Sequence, residues 1–114
     1  MIRFAIAVAL ALAAPPALAA DGAQLFNLQC KMCHAAKSPP MGPSLSGVAG
    51  RKIAGRTDFA YSAGLKAKRG TWTDANLNDF LKAPAAFAPG TRMAAAVPSA
   101  ENRAALVRHL KTLK

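Results

Sequence analysis

The sequence predicts an all-α domain of several short helices joined by long loops. Apolar residues recur at helical spacing in separate stretches, and no segment alternates apolar and polar residues as a half-buried strand does. Glycines and prolines punctuate the chain between those stretches. The apolar inventory is also thin: the domain is rich in Ala and modest in Leu, Ile, Val and Phe, which makes a core built from it alone marginal. A large buried group that binds only the folded state would supply the missing stability. The long loops are therefore expected to wrap round something.

The first 19 residues stand apart from that domain. Met1-Ile2-Arg3 is a short basic start, and Phe4 to Ala14 is an unbroken run of eleven apolar residues. Pro15-Pro16 breaks the run, and Ala17-Leu18-Ala19 has the small-x-small pattern of a processing site. That order of regions is a secretory signal. A membrane anchor would need about 20 apolar residues, and the run is too short. The reading is a signal peptide over 1–19, cut after Ala19 or Ala20, followed by one domain over 20–114.

Within the domain, Asp21 is expected to cap a first helix running to about Cys33, with Leu25, Phe26 and Leu28 as apolar positions and Gly22 one turn earlier. The stretch 37–55 holds four glycines and three prolines and reads as loop. A short helix is expected over Asp58 to Lys68. Thr73 caps a clearer one, in which Leu77, Phe80 and Leu81 fall at i, i+3 and i+4 before Pro84 ends it. Ala88-Pro89-Gly90 turns the chain. Ser99 caps the last helix, where Leu106, Leu110 and Leu113 recur at i, i+4 and i+7 with Val107 beside them.

The chain is strongly basic, +10 over its 114 residues. Removing the leader takes away only Arg3, so the mature domain keeps fourteen Lys and Arg against five acids, a net +9. Such a surface favours acidic partners and steers encounters with them. Nucleic acid is not the expected partner: there is no nucleic-acid motif, little aromatic interleaving, and the leader directs the chain out of the cytoplasm.

Cys30-Lys31-Met32-Cys33-His34 carries the chemistry. A C-x-x-C-H run is the attachment signature of haem c. Two thiols one helical turn apart can each add to one of the haem's two vinyl groups, and the next residue, His34, then sits under the iron as proximal ligand. Three other uses of the pair compete. A thioredoxin-type redox motif belongs with an α/β pattern, which is absent. A disulfide across one turn closes a tiny loop and contributes little. A zinc site needs four ligands, and the mature chain offers only Cys30, Cys33, His34 and His109. A sixth iron ligand suits a protein that shuttles electrons. Met32 lies inside the attachment turn, and Met41 follows His34 closely beside Gly42-Pro43, on the proximal side. Met93, 59 residues beyond His34 and after a Pro-Gly turn, can come round to the distal face.

With these motifs in place the mature chain resembles the class I cytochromes c, in the branch of mitochondrial cytochrome c and its bacterial relatives. The resemblance is collinear: Gly22 and Phe26, Cys30 to His34, Gly42-Pro43-Ser44-Leu45-Ser46-Gly47, Gly50-Arg51-Lys52, Phe59-Ala60-Tyr61-Ser62, Trp72, and Pro89-Gly90-Thr91-Arg92-Met93. It implies the cytochrome c fold round one covalently bound haem. It implies that Pro43 offers its carbonyl to the Nδ1–H of the proximal His34, that Tyr61 and Trp72 donate to a buried haem propionate with Arg51 nearby, and that Met93 is the axial thioether. Several positions depart from the family. Phe80 stands where mitochondrial members carry a tyrosine, Leu65 replaces a polar distal residue, and Ala94-Ala95-Ala96 follows Met93 in place of an aromatic. His109 occupies the place of a packing aromatic, and several docking lysines fall on Gln29, Ala85 and Ala86; Lys31, Lys37, Lys82 and Arg92 offer a substitute basic rim.

The function expected is one-electron transfer between extracytoplasmic partners, in the periplasm, by a monomeric carrier that is not an enzyme. A haem subunit docked in a larger respiratory or dehydrogenase complex is an alternative. A haem peroxidase or sensor would need an open distal site with acid–base residues, and no distal His is apparent.

Overall fold

Asp21 sets the first turn of helix α1 (Gly22–Gln29): its carboxylate accepts from the N–H groups of Ala23 and Gln24 at 3.0 and 3.3 Å. The computed structural model describes residues 20–35 and 41–114. The leader expected over 1–19 and residues 36–40, with Lys37, lie outside the described residues. Five further helices follow: α2 (Lys31–His34), α3 (Ala63–Lys66), α4 (Asp74–Lys82), α5 (Pro84–Phe87) and α6 (Ala100–Leu110). Among the described residues there is no strand, only an isolated antiparallel bridge between Lys52 and Thr71. The architecture is the all-α class the sequence predicts.

The caps explain where most helices begin. Thr73 and Asn76 form a reciprocal box, Thr73 Oγ1 accepting from Asn76 N–H at 3.2 Å and Asn76 Oδ1 accepting from Thr73 N–H at 2.7 Å. Ser99 Oγ accepts from Asn102 N–H at 3.2 Å and starts α6. Three expectations need adjustment. The first helix does not run unbroken to Cys33: it pauses at Cys30, whose φ of −113° departs from helical geometry before His34 N–H bonds back to the Cys30 carbonyl at 3.0 Å. The helix within 58–68 shrinks to Ala63–Lys66, because Asp58 is held by the Arg56 guanidinium and Phe59 packs edge-on to Tyr61, which leaves Ser62 as the cap. Pro84 ends α4 and also opens α5, a single turn in which its missing N–H costs nothing.

Two crossings bring the helices together. Gly22 lets α1 lie directly on α6: a Cβ there would come 2.2 Å from the Ala105 carbonyl oxygen, so any side chain must push backbone aside. Phe26 and His109 close the same crossing with ring centroids 5.1 Å apart, which makes His109 a packing residue. Helix α4 also packs on α6, and the buried set Val48, Ile53, Trp72, Leu77, Leu81, Val97, Leu106, Val107 and Leu110 forms one cluster between them and the loops. Leu113 lies past the end of α6 but still packs against this cluster. Each buried Leu, Ile or Val contributes roughly 1.5–3 kcal/mol, and eight such residues with Trp72 are few for a domain of this length.

Arg103 is the one charged residue buried among the described residues, 7% exposed. Its Nε donates to Asn78 Oδ1 on α4, and its Nη1 donates to the carbonyls of Val97 and Pro98, each at 2.8 Å. It ties three elements together through α6.

Candidate functional site

A cavity of about 450 Å³ opens within the helices and loops. Protein interiors close-pack and leave few voids larger than a water molecule, whereas cofactor pockets span roughly 300–1,000 Å³. Cys30, Cys33, His34, Pro43, Arg51, Tyr61, Trp72 and Met93 all line it. The rest of the wall is largely apolar, with Leu45, Val48, Leu65, Leu77, Phe80, Leu81, Leu106 and Leu110.

One wall is built from the junction of α1 and α2. The pause at Cys30 and the turn after it put Cys30, Cys33 and His34 on the cavity, with both cysteines as free thiols. Burial, and then the neighbouring Cys33, raises the Cys30 pKa, so its thiol is protonated at neutral pH. The loop after α2 returns over the histidine. Gly42 N–H donates to the Cys33 carbonyl at 2.8 Å, and a Cβ on Gly42 would stand 2.9 Å from His34 Cε1 and Nδ1. Only a glycine lets the backbone come that close. The turn presents Pro43, whose carbonyl oxygen lies 2.8 Å from His34 Nδ1. A carbonyl can only accept, so Nδ1 carries the proton and the lone pair is on Nε2. Burial pushes the imidazole pKa down, opposed by the bond to Pro43. The neutral ring, the form that binds a metal, is favoured.

A second wall is made by a short backbone pairing between two loops. Gly50 N–H donates to the Trp72 carbonyl at 2.8 Å, Trp72 N–H to the Arg51 carbonyl at 2.8 Å, and Ile53 N–H to the Gly70 carbonyl at 3.0 Å. This sets Arg51 and Trp72 side by side. The Trp72 indole is buried against Phe80 and Phe87, with ring centroids 5.3 and 5.7 Å away. Arg51 donates through Nη1 to the Ser46 carbonyl at 2.9 Å and through Nη2 to the Ser44 carbonyl at 3.1 Å. Its Nε is buried and has no partner among the described residues. An unmet buried donor costs about 1–3 kcal/mol, more when charged, so a carboxylate in the cavity would relieve it. The Tyr61 hydroxyl accepts a long bond, 3.4 Å, from Arg56 N–H. Ala54, also on the cavity, has a left-handed φ of 55°, a conformation that costs a non-glycine residue roughly 1–2 kcal/mol.

The methionines differ in setting. Met93 is half-buried, lines the cavity and packs against the core cluster. Met32 and Met41 are 73% and 72% exposed; Met41 also borders the cavity, on the His34 side through Gly42. The stretch carrying Met93 starts at the turn of Ala88-Pro89-Gly90, where Thr91 N–H donates to the Ala88 carbonyl at 2.9 Å and Gly90 takes a φ of 84°. Gly64 of α3 packs on the Pro89 carbonyl, where a Cβ would lie 2.1 Å from the oxygen. Arg92 reaches across to the Ala60 carbonyl and lies over the Phe59 ring, 5.5 Å from its centroid. Sequence reasoning missed Gly64 and Phe87, and it named Gly42 without its close approach to His34. Arg103 left a signal: it falls at i−3 and i−7 from Leu106 and Leu110, a cation on an apolar helix face.

The site thus offers paired thiols, a neutral imidazole, a thioether and an unmet guanidinium donor around an apolar cavity. That set fits a haem: the thiols suit its vinyl groups, the nitrogen and sulfur suit its iron, and the guanidinium suits a propionate. Comparison with known proteins points the same way. The family model described as cytochrome c matches residues 19–114. A cytochrome c of Tetrahymena pyriformis is 43% identical over 101 residues, covering 87% of this chain and 92% of that protein. A cytochrome c-554 of Methylosinus trichosporium is 39% identical over 110 residues, covering 90% of this chain and 82% of the relative. The cytochrome c-type cyt cy of Rhodobacter capsulatus is 39% identical over 94 residues, covering 81% of this chain and 47% of the relative.

Proposed function

Because the chain belongs to the cytochrome c family, whose members carry one covalently bound haem c and transfer electrons rather than catalyse a reaction, we propose that it is an extracytoplasmic one-electron carrier with His34 and Met93 as axial iron ligands. When bound, the haem supplies a one-electron ferric–ferrous couple. The protein's work is to hold that group and tune it. Cys30 and Cys33 tether it by thioether bonds. Pro43 orients His34 through Nδ1 and keeps Nε2 available, a supporting contact that also raises ligand basicity. The Met93 thioether favours the reduced iron and raises the potential. Trp72, Tyr61 and the spare Nε of Arg51 offer donors that offset the cost of burying a propionate. The apolar wall excludes water, and Phe80 offers no hydroxyl to the distal side.

The single observation that carries this reading is the convergence of both thiols, the Pro43-bound His34 and Met93 on one cavity, while Met32 and Met41 stand largely in solvent. Export is supported by the leader, which precedes a family match starting at residue 19. No helix among the described residues is long and apolar enough to cross a membrane. We place the mature protein in the periplasm as residues 20–114, with no nucleic-acid partner. Purified mature protein is expected to weigh as residues 20 or 21 to 114 plus one haem, and to keep its colour through acid–acetone extraction. Haem that extracts freely, or a mass that retains the leader, would refute the reading.

The partners are proposed to be acidic redox proteins. Lys31, Lys82 and Arg92 are exposed, at α2, at the end of α4 and beside Met93. Opposite charge raises association rates by about 10 to 10³ at low salt, and screening removes the gain. Oxidation by an acidic acceptor is expected to slow steeply with ionic strength, and Lys82→Glu to slow it more than Lys114→Glu at the chain end. Equal effects of the two reversals would leave net charge as the sole determinant and remove the docking rim.

A further inference from the structure

We propose that Arg103 is a positioning residue for the sixth ligand: by holding the carbonyls of Val97 and Pro98 it fixes the far end of the segment that carries Met93. The proposal rests on the reading of Met93 as that ligand.

The segment from Thr91 to Pro98 has little of its own to hold it. The Thr91 N–H bond to the Ala88 carbonyl, at 2.9 Å, fixes its start, and the Val97 N–H bond to the Leu81 carbonyl, at 2.8 Å, fixes its end. Between them two hydrogen bonds are described: a long one, 3.4 Å, from Met93 N–H to Thr91 Oγ1, and one from the exposed Arg92 guanidinium to the Ala60 carbonyl, which ties down the near half. Ala94, Ala95 and Ala96 are exposed and carry only methyl groups, so no side chain anchors the middle. Beyond the packing of Met93 on the core cluster and the Arg92 contact beside it, the course of the segment is set by its two ends. The near end has the Pro89-Gly90 turn with Gly64 packed beneath it. The far end has Val97, 5% exposed, and Arg103.

Arg103 makes that end rigid in a way an apolar residue would not. Its Nη1 donates to two consecutive carbonyls, Val97 and Pro98, both at 2.8 Å, which fixes the orientation of both peptide units. Its Nε donates to Asn78 Oδ1 at 2.8 Å, which fixes the guanidinium against α4. No carboxylate is among its partners, so carbonyl and amide dipoles alone compensate the charge. Burying a cation is costly, and an aliphatic side chain would fill the space without that cost. What the arginine adds is the geometry of its bonds to the end of the ligand segment. Charge-assisted bonds are the strong class, and loss of both would leave the far end held only by the buried Val97 and its N–H bond to Leu81, with the Val97 and Pro98 carbonyls unfixed.

The test uses the holoprotein and compares Arg103→Gln, Arg103→Lys, Asn78→Ala and Met93→Ala. Three quantities are read: the near-infrared sulfur-to-iron band of the ferric form, the rate of carbon monoxide binding to the ferrous form, and the melting temperature. Arg103→Gln is expected to weaken the band and raise the carbon monoxide rate about tenfold, equivalent to about 1.4 kcal/mol. Arg103→Lys, which keeps a cation near the carbonyls, is expected to recover part of both. Asn78→Ala removes the bond to α4 but leaves both carbonyl bonds, so it should lower the melting temperature with band and rate close to wild type. If Arg103→Gln does not fold, Arg103→Lys against Asn78→Ala decides, since the lysine variant must then change the rate more at similar stability. Equal rates in the Arg103 and Asn78 variants would make the arginine merely structural and overturn the proposal. Unchanged band and rate in Met93→Ala would instead remove the ligand reading itself, and this proposal with it.

Discussion

Met93→Ala is expected to abolish the near-infrared sulfur-to-iron band, lower the reduction potential by on the order of 0.2 V within the roughly 0.8 V that axial ligands span, and let ferrous iron bind carbon monoxide. The size of the effect follows from what the thioether does. As the proposed ligand it would be a soft, neutral donor that stabilises the reduced form relative to the oxidised. Among the described residues, those beside it offer no ready substitute. The residues that follow are Ala94 to Ala96, the neighbouring wall offers Leu65 and Phe80, and none of these side chains can coordinate. His109, the second histidine of the chain, is committed to Phe26 in the crossing of α1 and α6. The variant is therefore left with an open coordination site rather than a substitute ligand.

The paired control is Met41→Ala, expected to leave band, potential and carbon monoxide reactivity as they are. Met41 reaches the cavity from the loop that covers His34, and it is largely in solvent. With His34 as the proposed ligand, a thioether on the same side of the cavity would not reach the position proposed for Met93. Loss of the band in Met41→Ala and its survival in Met93→Ala would reverse the ligand assignment. Stability separates the effects further: Met93 is half-buried, so its truncation costs less than the 2–5 kcal/mol of a fully buried Met→Ala change. A fold that melts cooperatively with the band gone is the diagnostic outcome.

Physical locality decides how much of this was legible in the sequence. Asp21, Thr73 and Ser99 act on N–H groups two or three residues away, so their caps can be read from adjacent letters. The C-x-x-C-H run is equally local, because both thiols and the imidazole must reach one group from a single turn. Other features depend on distant chain. The pause at Cys30 and the single turn of α5 have no strong local sign. Phe87 in α5 is placed by stacking on Trp72, 15 residues before it. The close approach of Gly42 to His34 needs the loop to return over the ring, and that of Gly22 to Ala105 needs both ends of the domain to meet. Arg103 shows the limit most clearly. Its helix register was readable, but its partners Asn78, Val97 and Pro98 come from two other elements. The resemblance to the family singled out Arg51, Tyr61 and Trp72. The backbone pairing of residues 50–53 with 70–72 sets Arg51 and Trp72 side by side on the cavity that Tyr61 also lines.

Replacing both Cys30 and Cys33 by Ala is expected to deplete the folded protein itself, not only its colour. The core holds few large buried side chains, and the cavity of about 450 Å³ runs through the middle of them. Left unfilled, that volume forfeits contacts for Leu77, Leu81, Leu106 and Leu110, which line it. A group that binds only the folded state stabilises it by about 4 kcal/mol when present at 1,000 times its dissociation constant, against a total of roughly 5–15 kcal/mol for a typical domain. Thioether tethers would make haem binding intramolecular, so its contribution would no longer depend on the concentration outside. Without them, the proposed ligands His34 and Met93 would hold the haem reversibly, and dilution would favour its loss. The double variant should yield haem that extracts into acid acetone, and the remaining polypeptide should show little helical circular dichroism and no cooperative melt. Adding excess haem in vitro should restore part of the helix signal, because the cavity, His34 and Pro43 are unaltered. An apoprotein with full helicity and a cooperative transition would mean that the surrounding loops close over the cavity unaided, and the cofactor would then be a guest of the fold and not part of its core.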